Sequence, residues 1–230
     1  MKMCLSRRLR AVASLVRGKV IADVGCDTAN LAIWLAQNCD VFVYACDLRT
    51  KPLERARANL KKFEVNSKVK LIRSDGLNNV PNCVDEVIIS GLGGLAIEKI
   101  VLNCKWLKYL KIPLILQPQN CCFRLKVQLI SNGFKLIKQV FVVEKGKAYE
   151  VCVFEFFGVK QKLNFKQFMF SEHVVVNEDL FKYVFLKKEK CVQILNCLNM
   201  AKKGADVAKK KCFYSQFLKF LKELEVKYKL

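Results

Sequence analysis

Three aspartates stand in or just after three successive apolar runs. Asp23 lies within Val20-Ile21-Ala22-Asp23-Val24, Asp47 follows Val41-Phe42-Val43-Tyr44-Ala45-Cys46, and Asp75 follows Val69-Lys70-Leu71-Ile72. The first run opens into the loop Gly25-Cys26-Asp27-Thr28-Ala29-Asn30. A loop that cradles a diphosphate needs further glycines where Asp27 and Asn30 stand, so that backbone can approach the phosphates. Here one glycine is flanked by two acids, and carboxylates repel phosphate while attracting cations. The loop therefore favours a ligand that carries positive charge and no phosphate. The same missing glycines disfavour an NAD-dependent oxidoreductase.

S-adenosylmethionine, with its sulfonium and ammonium, has that charge. Asp47 lies 22 residues beyond Gly25, where an acid can hold ribose hydroxyls. Asp75 offers a carboxylate to an adenine amino group, and Gly76 beside it lets the base lie close. Each acid has a plainer alternative, as a cap for the helix that follows.

These loops converge only if the runs are parallel strands of one sheet. Gly25 ends the first run; Val87-Ile88-Ile89 forms a fourth, ending at Gly91-Leu92-Gly93-Gly94. Helical patterns fall around Leu31, Trp34 and Leu35, over 52–62 with Pro52 in the first turn, near 95–107 and near 122–131. Strand Leu114–Gln117 precedes two final strands, Lys135–Val143 and Tyr149–Phe157, split by a turn at Glu144-Lys145-Gly146-Lys147. Strand–helix alternation closed by a hairpin predicts an α/β fold: a Rossmann-like, doubly wound sheet of seven strands in residues 1–158. Residues 159–230 form the second predicted domain. In it, 159–177 read as a connector, and 178–200 and 206–228 as a helical hairpin broken at Lys203-Gly204, with Leu180, Val184, Leu195 and Leu198 facing Val207, Phe213, Phe217 and Leu221.

The 230 residues hold 41 Lys+Arg against 20 Asp+Glu, a formal charge of +21, with 53% hydrophobic residues. That is too apolar for a disordered basic tail and too charged for a membrane bundle. Both predicted domains are positive, which favours a polyanionic partner, nucleic acid first. No transmembrane run or clean signal peptide is visible. The 12 cysteines include no C-x-x-C pair, and His173 is the only histidine, so no metal set with zinc spacing is expected. The cysteines, Cys46, Cys83, Cys104 and Cys152 among them, read as packing residues of a cytoplasmic protein, and His173 receives no role.

Six segments together carry a family resemblance: Leu5-Ser6-Arg7-Arg8-Leu9, Ala22–Asp27, Ser74–Leu77, Ile88–Gly94, Leu114-Ile115-Leu116-Gln117-Pro118 and Gly146–Val151. In this order and spacing they resemble the bacterial tRNA adenine-22 N1-methyltransferases (TrmK-type). Thr28 and Asn30 depart from that family's first loop, which carries His and Tyr there, and Gln119 stands where the family often has Asn.

The resemblance implies a class I methyltransferase that moves a methyl group from S-adenosylmethionine to adenine N1 in tRNA; the composition and spacing add no metal or membrane, and they leave the oligomeric state open with a monomer favoured. It implies a donor site of Asp23, Gly25, Asp27, Asp47, Asp75, Gly76, Gly91 and Leu92. Asp27 either stabilises charge developing on the base or binds the donor's ammonium. Gln117, Gln119 and Asn120 either read the Watson–Crick edge or cap strand ends. Arg8 either touches RNA or donor, or makes a surface ion pair. Lys209, Lys210 and Lys211 either contact phosphates or line a wet helix face. The alternatives are another RNA, protein or small-molecule substrate, or an RNA-binding module without chemistry.

Overall fold

The computed structural model describes residues 1–159, 164–171, 173–201 and 204–229. Helix α1 (Arg7–Ala13) is capped by the Ser6 hydroxyl, which accepts from the Leu9 N–H at 3.3 Å. Strands β1 (Val20–Val24), β2 (Phe42–Asp47) and β3 (Val69–Arg73) alternate with helices α2 (Asn30–Asn38) and α3 (Thr50–Phe63). Helix α3 buries Leu53, Ala56, Leu60 and Phe63, one stripe at helical spacing, and turns its charged residues outward. Strands β4 (Glu86–Ser90) and β5 (Leu114–Gln117) follow, then α6 (Cys122–Ser131), β6 (Phe134–Glu144) and β7 (Lys147–Phe156).

The helix expected near 95–107 is two helices, α4 (Gly94–Asn103) and α5 (Lys105–Leu110), with Cys104 in extended conformation between them. Val101 and Leu107 both enter the core under β4 and β5. On one continuous helix, six residues apart, they would point about 120° away from each other. The break lets both reach the same core. The hairpin turn is also tighter than expected: Glu144 and Lys147 belong to the strands, leaving Lys145 and Gly146, both with positive φ (50° and 71°), as a two-residue turn.

The sheet order is β3-β2-β1-β4-β5-β7-β6-β8. The seven expected strands are joined by an eighth, β8 (His173–Val174), which pairs in parallel with Lys138 and Gln139 of β6. It lies in the segment read as a connector, together with α7 (Phe165–Met169). A buried polar network holds this segment. Lys126 Nζ donates to Glu150 Oε2 and to the Met169 carbonyl, both at 2.8 Å, and Gln139 Nε2 donates to Glu150 at 2.7 Å.

The chain divides into two compact units, residues 1–140 with 149–174, and residues 141–148 with 175–230. In the second, α8 (Glu178–Met200) pairs with α9 (Ala205–Tyr228), and Lys188 meets Glu225 at 2.6 Å. The buried seam is Leu180, Tyr183, Val184 and Cys191 with Phe217, Phe220, Leu221 and Leu224. Leu195, Leu198, Val207 and Phe213 of the expected seam are only half-buried. Of the expected break, Lys203 lies outside the described residues and Gly204 is the N-cap of α9. Among the described residues no helix is long and apolar enough to cross a membrane.

Candidate active site

Strand order reverses beside β1, whose neighbours are β2 and β4, so the loops leaving β1 and β4 diverge and open a crevice at the carboxyl ends of the strands. Two adjoining cavities, of about 390 and 340 Å³, fill it and share Gly25, Asp47, Arg49 and Leu92 as walls. The first is lined by Asp23, Asp27, Gly91, Arg8 and Gln119, and the second by Ser74, Asp75, Gly76 and Ile100. All eight residues expected to bind the donor therefore lie on this one cleft.

The β1–α2 loop is wound by residues with positive φ: Gly25 (75°), Asp27 (49°) and Ala29 (60°). A Cβ on Gly25 would stand 3.2 Å from both Leu92 methyls, so a side chain there is strained by backbone and space alike. The loop is tied mainly to the end of β2 through its N–H groups. Those of Gly25 and Cys26 donate to the Cys46 carbonyl at 2.8 and 2.9 Å, that of Asp27 to Asp47 Oδ2 at 3.2 Å, and that of Ala29 to the Cys26 carbonyl at 2.8 Å. These four bonds take up the N–H groups of Gly25, Cys26, Asp27 and Ala29.

Asp23 lies at the base of this cleft, 2% exposed, and its Oδ2 has no hydrogen-bond partner. Burial first, and then the neighbouring Asp47 carboxylate, push its pKa up to about 7. Asp47 is better satisfied: besides the Asp27 N–H, it accepts from the Arg49 N–H at 2.9 Å and from Arg49 Nε at 3.4 Å. The Cys26 and Cys46 thiols, buried beside these acids, are held far above the usual thiol range by desolvation and then by Asp23. They are packing residues, not nucleophiles.

The four candidate catalytic residues separate. Asp27 is exposed on the cleft and Gln119 also faces it. Gln117 does not: it is fully buried, accepting from Arg8 Nη1 through Oε1 and donating to the Pro118 carbonyl at 2.9 Å. Both ends of its amide are engaged, so it holds Arg8 instead of presenting an edge to a base. Asn120 caps α4, its Oδ1 accepting from the Gly94 N–H at 3.2 Å. Arg8 is half-buried over the Tyr149 ring, 5.9 Å from the centroid. Gly91 (φ 80°) faces it: a Cβ built there would lie 3.6 Å from Arg8 Nη1 and 3.8 Å from Gln119 Nε2.

Lys209, Lys210 and Lys211 stand on α9 in the second unit and line neither cavity; Lys210 is paired with Asp206 at 2.7 Å. Sequence reasoning missed Arg49 and Tyr149. Arg49 had a local signal, a base two residues after a strand-end acid; Tyr149 had none beyond its place in a motif. It also missed a cluster of Cys122, Glu150 and Cys152, whose ligand atoms lie within 4.8 Å of one another. The Lys126 ammonium already supplies positive charge there. Burial alone would lower its pKa, but the Glu150 carboxylate and both thiols more than reverse that. Of the cysteines read as packing residues, Cys26, Cys46, Cys152 and Cys191 are buried and Cys39, Cys104 and Cys122 half-buried, whereas Cys4, Cys83, Cys121, Cys197 and Cys212 are exposed and do not serve the core.

The methyltransferase-domain family matches residues 5–152, well over half of the chain. The chain belongs to this family. Among relatives of this methyltransferase, the Bacillus subtilis (strain 168) tRNA (adenine(22)-N(1))-methyltransferase is 32% identical over 154 residues. That match takes in 66% of this chain and 65% of the relative, just under two thirds of its length. The structure of M. capricolum TrmK in complex with S-adenosyl-homocysteine is similar over 96% of this chain and 97% of that one, with TM-score 0.77 and 25% identity. Streptococcus pneumoniae Sp1610 in complex with S-adenosyl-L-methionine gives TM-score 0.75 and 26% identity, over 96% and 99% of the two chains.

Proposed function

We propose that this methyltransferase transfers a methyl group from S-adenosylmethionine to N1 of adenine 22 in tRNA. One observation carries the reading. The cleft is built around a buried carboxylate with an unsatisfied oxygen, with the Asp27 and Asp47 carboxylates on the same walls, so it suits a cationic ligand and not a diphosphate. The residues fit S-adenosylmethionine, which supplies an electrophilic methyl group when bound. Asp23 and Asp27 complement its positive charge. Asp47 meets ribose hydroxyls at the shared wall, and Asp75 and Gly76 border the second cavity, where an adenine would lie.

Adenine N1 is itself a nucleophile through its ring lone pair, so no activated side chain is required and alignment supplies much of the rate. As the N1–methyl bond forms, the sulfonium–methyl bond breaks to leave a neutral thioether; the positive charge passes to the ring, and the exposed Asp27 carboxylate favours it there. Gln119 presents an amide to the base edge. Arg8, fixed by Gln117 and Tyr149, contacts the sugar-phosphate of the same nucleotide. The target must leave its stack for N1 to be reached.

The test is nucleoside mass spectrometry of tRNA incubated with the protein and labelled donor. The expected product is 1-methyladenosine, lost when position 22 is changed to guanine. Absence of label, or label in another nucleoside, overturns the reading.

A further inference from the structure

The helical unit carries a groove unrelated to the donor cleft by composition or lining. It measures about 580 Å³ and runs between the β6–β7 turn and α8, lined by Val143, Gly146, Phe181, Val184, Phe185 and Leu186. Phe181 and Phe185, one helical turn apart on α8, are 37% and 61% exposed. Two ordinary core phenylalanines would be covered, as Phe217 and Phe220 of the same unit are. The cost of leaving two aromatic faces wet at one spot points to a ligand.

The charge of the unit narrows that ligand. Residues 141–148 and 175–230 contain 15 lysines and no arginine against seven acids. Lys182 and Glu225 also line the groove, each neutralised by a partner: Lys182 is bonded to Glu178 at 2.6 Å, and Glu225 accepts from Lys188 at 2.6 Å. Lys145 and Lys147, either side of Gly146, are exposed at its rim. Aromatic faces in an electropositive setting form the combination by which single-stranded nucleic acid is held: bases stack on the rings while ammoniums attract the backbone. A groove of this size accepts a nucleoside.

We propose that Phe181 and Phe185 form a stacking site for an unpaired base of the RNA substrate. The site rests on the reading of tRNA as substrate. It commits to an unstacked nucleobase, and a second copy of the chain in the same groove is the rival to be excluded.

Stacking has a signature that neither packing nor charge shares. Phe181→Ala/Phe185→Ala should weaken tRNA binding about tenfold in an anisotropy titration. The slope of log affinity against log salt should stay unchanged, because no phosphate contact is lost. S-adenosylmethionine affinity, measured by calorimetry, should also stay unchanged, and unchanged helical circular dichroism should show that α8 and α9 of the variant are folded. Phe185→Trp keeps an aromatic face and should retain affinity. Its added fluorescence should be quenched by an unpaired oligoadenylate but not by duplex RNA of the same length. Phe185→Leu keeps the apolar surface without the ring and should weaken binding.

The proposal is overturned if Phe185→Leu or the double alanine variant binds tRNA like wild type, or if oligoadenylate leaves the fluorescence of the Phe185→Trp variant unchanged. It is equally overturned if the wild type sediments as a dimer that the double variant converts to a monomer. Methylation of tRNA by the wild-type protein reports on the proposed activity and not on this groove, so the two readings fail separately.

Discussion

At the scale of single residues, the site turns on how costly it is to keep Asp23 charged. Its neighbours are no help: Asp47 is another carboxylate, and Cys26 and Cys46 are neutral thiols. Because folding raises its pKa from 3.8 to about 7, Asp23 contributes stability that is fully present below about pH 4 and lost as pH climbs through 7. In donor-free denaturant melts between pH 4 and 8, the wild type should therefore lose about 2–4 kcal/mol more than Asp23→Asn. Parallel stability curves would remove Asp23 from this account. A cationic ligand favours the ionised form, so donor affinity should rise from pH 6 to 8 in the wild type and stay flat in the variant. Gln117 makes a second test. Gln117→Leu keeps most of the buried volume but takes away the acceptor that fixes Arg8. Methyl transfer to tRNA should fall about tenfold through misplacement, while donor affinity changes little. Equal losses in both would mean that Gln117 serves the whole cleft.

At the scale of elements, what was legible in the sequence was whatever a short window encodes. The apolar runs of β1, β2 and β5, the stripe of α3 and the glycine-rich turns show their structure within a few residues, and so do the acids that end the strands. Their convergence on one cleft follows from parallel topology alone. The split at Cys104 was not legible, because it answers to a core that Val101 and Leu107 must enter together. The part played by Gln117 was hidden for a similar reason, since Arg8 is 109 residues away. The network that holds α7 and β8 joins Lys126 to Glu150 across 24 residues. That network yields a prediction. Lys126→Met strands a buried carboxylate beside Gln139, and should cost about 3–5 kcal/mol by chemical denaturation. Adding Glu150→Leu should recover most of the loss, since two apolar residues need no counter-charge. A double variant as unstable as the single one would show that the pair is needed for more than charge balance.

At the scale of the whole molecule, the positive charge is spread over both compact units. The helical unit holds 15 lysines against seven acids, and the remainder of the +21 lies with the sheet. If that surplus meets RNA phosphates, affinity must depend steeply on salt, because each neutralised phosphate releases condensed counterions. Lys209, Lys210 and Lys211 on α9 give the sharpest test, although they are not equivalent. Lys210 is already paired with Asp206 through the helix, so moving it to a phosphate gains less than a lysine with no such partner would gain. Changing all three to Gln should lower tRNA affinity several-fold at low salt. The log–log salt slope should flatten by about 0.7–0.9 for each phosphate contact removed. Restoring Lys210 alone should recover little of that slope, while restoring Lys209 should recover more. Donor affinity should be untouched, because none of the three lines the cleft. A triple variant with the wild-type slope would assign these lysines to the solvated face of α9 and move the phosphate contacts elsewhere on the molecule.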